Sequence, residues 1–152
     1  MERRLGVHIS IAGGIDKGLE RAKELGCSTV QMFSHNPRGW GLGKRDSVEI
    51  RRFRDLKKAY DIHPVFVHTS YLINLASPRQ YLLHKSFEMI VQELHIADEI
   101  DAEYVVLHTG SASGDEPAAA RKRAIAALER VAGRGNGRQG FFLKILRAKG
   151  AT

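Results

Sequence analysis

Two histidines have the placement of metal ligands. His68 closes the apolar run Val65-Phe66-Val67, and forty residues later His108 closes Tyr104-Val105-Val106-Leu107. Two imidazoles at the C-terminal ends of successive parallel strands point into one space, which is how an α/β barrel builds a metal site. Alone they do not suffice for catalytic zinc, which takes three protein ligands. The loop after His68 adds Tyr71 and Asn74, and an earlier loop carries Asn36-Pro37-Arg38-Gly39-Trp40. An arginine and aromatics beside a metal can engage a phosphate backbone and an opened base stack, or they can simply pack the loops. His8 interrupts an apolar strand at the same end, where backbone hydrogen bonding explains it as well as a functional role does. His35 abuts the Asn36 loop, within reach of a ligand there. For His63, His84 and His95, in a loop or on a helix, solvated or capping roles suffice.

The elements that hold these residues read as repeated β-α units. Strands are expected at Leu5–Ile11, Thr29–Phe33, Val65–His68 and Tyr104–His108, with the start of a fifth at Phe141–Leu143. Helices are expected from Ile15 to Leu25, from Val48 to Tyr60, from Pro78 to about Glu99, and from Pro117 to about Val131. Asp16 suits the positive end of the first helix and Gly26 its C′ position. In the third helix Leu82, Leu83, Ser86, Met89, Ile90, Glu93, Leu94 and Ala97 follow helical spacing. Such alternation implies a parallel sheet with right-handed crossovers. Ala12-Gly13-Gly14 is too weak for the phosphate loop of an open dinucleotide-binding sheet. A complete barrel takes about 250 residues. The expected fold is therefore α/β, the N-terminal half (about four βα units) of a TIM (β/α)8 barrel.

Composition narrows the class further. With 43% apolar and 27% charged residues the chain has the make-up of a soluble globular protein. No apolar run approaches the roughly 20 residues that span a bilayer, and Leu5–Ile15 is too broken for a signal peptide. The single cysteine, Cys27, excludes an internal disulfide framework and fits a reducing, cytoplasmic setting. The net charge of +7 is concentrated in residues 133–152, where five basic residues stand without an acid. The first 132 residues carry only +2. Bulk charge is thus poor evidence for a DNA-binding face.

The motifs are more specific. Gly6-Val7-His8-Ile9-Ser10-Ile11-Ala12-Gly13-Gly14 resembles the opening of the endonuclease IV family, zinc-dependent enzymes that cut DNA at abasic sites. Gln31-Met32-Phe33-Ser34-His35-Asn36-Pro37-Arg38-Gly39-Trp40 is similar to that family's second strand and DNA-contacting loop. His68-Thr69-Ser70-Tyr71-Leu72-Ile73-Asn74-Leu75-Ala76-Ser77 is close to its most characteristic segment. Leu107-His108-Thr109-Gly110-Ser111 resembles the next, with threonine where proline is usual. The resemblance runs from residue 1 to about 130. It implies a barrel with three zinc ions at its C-terminal face, His68 and His108 each ligating zinc. It also implies that Arg38 and Tyr71 bend double-stranded DNA and expose the abasic nucleotide, with Asn36 and His8 nearby. The metals would activate a water, hold the scissile phosphate and stabilise the leaving oxygen, hydrolysing the phosphodiester 5′ to the lesion in base excision repair. Neither a membrane nor an obligate protein partner is implied.

The chain divides on this reading into 1–132, the barrel part, and 133–152, a basic tail foreign to the family. The family continues into a fifth strand ending Glu-Asn-Thr-Ala-Gly, whose glutamate bridges two metals. Here residues 141–152 read Phe-Phe-Leu-Lys-Ile-Leu-Arg-Ala-Lys-Gly-Ala-Thr. Shifting the codons of Leu143 through Ala148 by one base, with permitted third bases, recovers Glu-Asn-Thr-Ala-Gly in order. A frameshift within the glycine-rich 133–140 segment, followed by an early stop, is the expectation. A chain so truncated would be marginally folded, with open strand edges, and inactive. The competing readings are a metal-dependent sugar isomerase or epimerase barrel and a remnant without function. The loops disfavour the former, since Asn36–Trp40 and Tyr71 suit a DNA-facing surface better than a closed sugar pocket.

Overall fold

The computed structural model describes residues 3–43 and 46–133. Its elements run α1 (Ile15–Glu24), β1 (Val30–Phe33), α2 (Ser47–Ala59), β2 (Val65–His68), α3 (Gln80–Glu99), β3 (Tyr104–Val106) and α4 (Pro117–Ala132). The strands form one parallel sheet in the order β1-β2-β3. Val30 stands opposite Val65, Phe33 opposite His68, and His68 opposite Val106. The tail, including the expected fifth strand and the out-of-frame segment, lies outside the described residues.

Alternation along the strands explains the layering. Val30, Met32, Val65, Val67 and Val105 turn one way and are buried against Leu19, Ala22, Phe53, Ile62 and Ala97. These short β-branched runs need a helical cover, and α1, α2 and α3 supply it. Phe66 and Tyr104 belong to the other face and stack with their ring centroids 5.0 Å apart. His68 follows Phe66 by two residues and so shares that face. A second core cluster joins Leu75, Phe87, Ile90 and Leu107 to Ala120, Ala124 and Val131 of α4.

Several boundaries differ from the sequence reading. The expected first strand is an extended run with a single parallel bridge, His8 to Gln31. It is nevertheless zipped onto β1, since Gln31 N–H donates to Val7 O at 3.1 Å and Ile9 N–H to Gln31 O at 2.8 Å. α3 begins at Gln80, not Pro78, because Arg79 takes the N-cap and its own N–H donates to Ser77 Oγ at 3.1 Å. β3 ends at Val106, so His108 stands two residues beyond its strand whereas His68 is the last residue of β2. The parity survives this difference, because Val106 is the partner of His68 and His108 follows it by two. Gly26, with φ 71°, sits just past the cap of α1 as expected, and Pro117 opens α4. Cys27 packs against the first core cluster.

Candidate metal and nucleic-acid site

The two C-terminal strand ends bring the histidines together. His68 Nε2 and His108 Nε2 are 3.1 Å apart. His68 Nδ1–H donates to its neighbour's carbonyl, Thr69 O, at 2.8 Å, which leaves Nε2 with the lone pair. Burial pulls the His68 pKa below its usual value, and the nearby His108 and His8 act in the same direction. The carbonyl of Thr69 opposes this shift without cancelling it, and the lowered pKa favours the neutral imidazole, the form that binds a cation. Two nitrogens on one tetrahedral zinc at ordinary bond lengths stand about 3.3 Å apart, so this pair fits a shared metal as a donor set. Among the described residues no group of three or more His, Cys, Asp or Glu is arranged to hold a metal ion.

Loops after β1 and β2 wall this pair in. A cavity of about 740 Å³ is lined by Trp40, His68, Tyr71, Asn74, His108 and Gly110, together with Arg79 and neighbouring loop residues. Tyr71 is 63% exposed and Trp40 37%. Phe33 braces the arrangement, its ring centroid 5.0 Å from Tyr71, 5.3 Å from His68 and 4.6 Å from His8. Pro37 O joins the two loops by accepting Tyr71 N–H at 3.2 Å and Ser70 Oγ–H at 2.8 Å. Asn36 Oδ1 accepts Arg38 N–H at 3.1 Å, shaping the turn that leaves both side chains exposed.

Not every expected residue reaches the cavity. Asn36, Arg38 and His8 do not line it, although His8 lies 6.0 Å from His68, ring to ring, and receives a bond from Gln31 Nε2. Burial lowers the His8 pKa as well. His35, whose position suggested a possible ligand contact, is buried instead, with Nδ1 2.9 Å from Ser34 Oγ and 3.5 Å from Glu93 Oε1.

Three structural residues carry more than their sequence positions suggested. Asn74 Oδ1 accepts the N–H groups of Ala76 and Ser111, each at 3.1 Å, while Leu75 N–H donates to Thr109 O. Asn74 therefore sews the His68 loop to the His108 loop. Gly110, at φ 101°, is what lets it approach, since a Cβ there would fall 2.0 Å from Asn74 Oδ1. Glu93 is fully buried, accepts Ser70 N–H at 3.0 Å, and has Oε2 unpartnered among the described residues. Burial pushes its carboxyl up to about 8. The signal for Glu93 was an acid on the apolar stripe of α3. For Gly110 no sequence signal distinguished a close approach from an ordinary loop glycine.

Residues 19–138 match the family described as xylose isomerase-like TIM barrel. Among curated relatives, "Probable endonuclease 4" of Halothermothrix orenii is 43% identical over 73% of the chain and 40% of its own length. The protein of that name from a Sulfurihydrogenibium species is 38% identical over 91% of the chain and 50% of its own. The crystal structure of endonuclease IV from Thermus thermophilus superposes with a TM-score of 0.77 at 31% identity, covering 93% of this chain and 51% of that one. A D-psicose 3-epimerase shares the fold at a TM-score of 0.67 and 12% identity, over 91% of this chain and 52% of that one. The chain thus spans half or less of the length of those curated relatives.

Proposed function

We propose, from the premise that this chain belongs to the xylose isomerase-like TIM-barrel family and within it to the endonuclease IV members, that it is the N-terminal part of a zinc-dependent abasic-site endonuclease. The observation that carries this reading is the convergence of His68 Nε2 and His108 Nε2 at 3.1 Å beside an exposed Tyr71 and Trp40. On this reading the substrate is double-stranded DNA with an abasic site, and the reaction is hydrolysis of the phosphodiester 5′ to it. His68 and His108 would hold zinc, which when bound would supply Lewis acidity toward a phosphoryl oxygen and an activated water. Thr69 O keeps His68 in the ligating tautomer. Tyr71, Asn36, Arg38 and His8 contact the DNA, Arg38 toward phosphate and Tyr71 toward the gap left by the missing base.

Residues 1–132 form the barrel part on this reading, and 133–152 are out of frame with the family. The described residues supply two ring nitrogens where a catalytic zinc needs three protein ligands. The 152-residue chain by itself is therefore expected to bind without cutting. Fluorescence anisotropy on an abasic duplex and an intact duplex of equal sequence tests the assignment. Tighter binding of the abasic duplex, with the preference lost in Tyr71→Ala and Arg38→Ala, is the expected result. Equal affinity of the wild-type chain for both duplexes would overturn it.

A further inference from the structure

The two loops assigned to DNA meet at one buried acid. Glu93 belongs to α3, its side chain is fully inaccessible, and it lies 25 residues after His68 in the chain, outside the set of groups discussed as ligands. Its Oε1 accepts Ser70 N–H at 3.0 Å, at the base of the Tyr71 loop. The same oxygen is 3.5 Å from Nδ1 of His35, at the base of the Asn36–Trp40 loop. Ser70 then passes the connection on, its Oγ–H donating to Pro37 O, and Tyr71 N–H donates to that same carbonyl. One carboxyl thus sits under both loops.

A carboxyl in an apolar helix stripe costs folding free energy unless its bonds repay it. Leucine or methionine would fill the volume at no such cost. What a hydrophobic residue could not reproduce is the acceptor for Ser70 N–H. We propose that Glu93 is a positioning residue for DNA engagement, holding Tyr71 and the Asn36–Trp40 loop in one register through Ser70 and His35.

The DNA part of this inference rests on the endonuclease reading, whereas the loop register does not. The test separates them. Trp40 is the only tryptophan of the chain and lies in the loop concerned, so its fluorescence reports loop placement without DNA. In the 152-residue chain, Glu93→Leu should shift Trp40 emission to the red and raise its quenching by acrylamide. Glu93→Gln keeps an acceptor for Ser70 N–H and should restore both to wild-type values. Ile62→Val, a core change remote from the loops, should lower stability and leave Trp40 unmoved. In a second arm, Glu93→Leu should weaken abasic-duplex binding by about tenfold, the order expected when a buried hydrogen-bond partner is removed, and Glu93→Gln should rescue it.

An unchanged Trp40 signal in folded Glu93→Leu would overturn the inference, as would equal disturbance by the leucine and glutamine variants or by Ile62→Val. If Glu93→Leu does not fold, Glu93→Asp decides, because it keeps the acid but withdraws it by one methylene. Wild-type Trp40 behaviour in that variant would overturn the inference too. Should the wild-type chain fail to prefer abasic DNA, the endonuclease reading falls while the Trp40 arm still judges Glu93.

Discussion

At the scale of single residues, the proposed chemistry rests on the pair His68 and His108. If their facing nitrogens form one binding point, either His68→Ala or His108→Ala should abolish measurable zinc binding by the chain in a chelator competition. Undiminished affinity in both variants would sink the assignment. Glu93 gives a pH signature of its own. Burial holds its proton up to about pH 8, whereas an unperturbed carboxyl releases it near 4.5. A raised folded value means stability fully present below 4.5 and lost as pH climbs toward 8. Wild type should therefore lose stability relative to Glu93→Gln across that window, by up to about 1.4 kcal/mol per pH unit, seen as diverging urea midpoints. Parallel midpoints would contradict it. Gly110→Ala should cost about 1–3 kcal/mol, combining a left-handed φ with a clash on Asn74, and an unshifted melting temperature would argue otherwise. The histidines were legible in the sequence because a polar residue closing an apolar strand is conspicuous. The burial of His35 was not, since only the tertiary position of Glu93 on α3 reveals what His35 faces.

At the scale of elements, periodicity located the four helices and the three paired strands found among the described residues. Ends set by local capping were less legible. Arg79 took the cap that Pro78 was expected to start from, and β3 stopped before His108 because the following loop bonds to Asn74 and Leu75 rather than to a neighbouring strand. The first extended run pairs with β1 through Gly6, whose added Cβ would lie 1.7 Å from Thr29 O. Gly6→Ala must therefore push the Leu5–Ile9 run off β1. Amide exchange at Ile9, Ser28 and Gln31, whose N–H groups form that zipper, should accelerate in the variant. Unchanged protection at these three amides would show that the run is held by something else. α1 and α2 are tied by Glu49 Oε1 accepting Ile15 N–H at 2.8 Å and by Arg52 reaching Asp16 and Glu20.

At the scale of the molecule, strand order and helix cover agree with the N-terminal half of a TIM barrel, and no helix among the described residues is long and apolar enough to cross a membrane. The strand face bearing Phe66, His68 and Tyr104 is the one a barrel turns inward, which is why both histidines open toward a cavity instead of the helical layer. On the proposed reading that cavity would be completed by an acidic ligand from a fifth strand, which a one-base shift across residues 143–148 would encode. The most direct measurement is cleavage of an abasic duplex by the polypeptide translated in the frame that encodes Glu-Asn-Thr-Ala-Gly. The expected result is a single nick 5′ to the lesion, lost on chelation of zinc and in His68→Ala and His108→Ala. A folded, zinc-loaded protein that leaves the abasic duplex intact, or one that cuts it equally well without either histidine, would contradict the account.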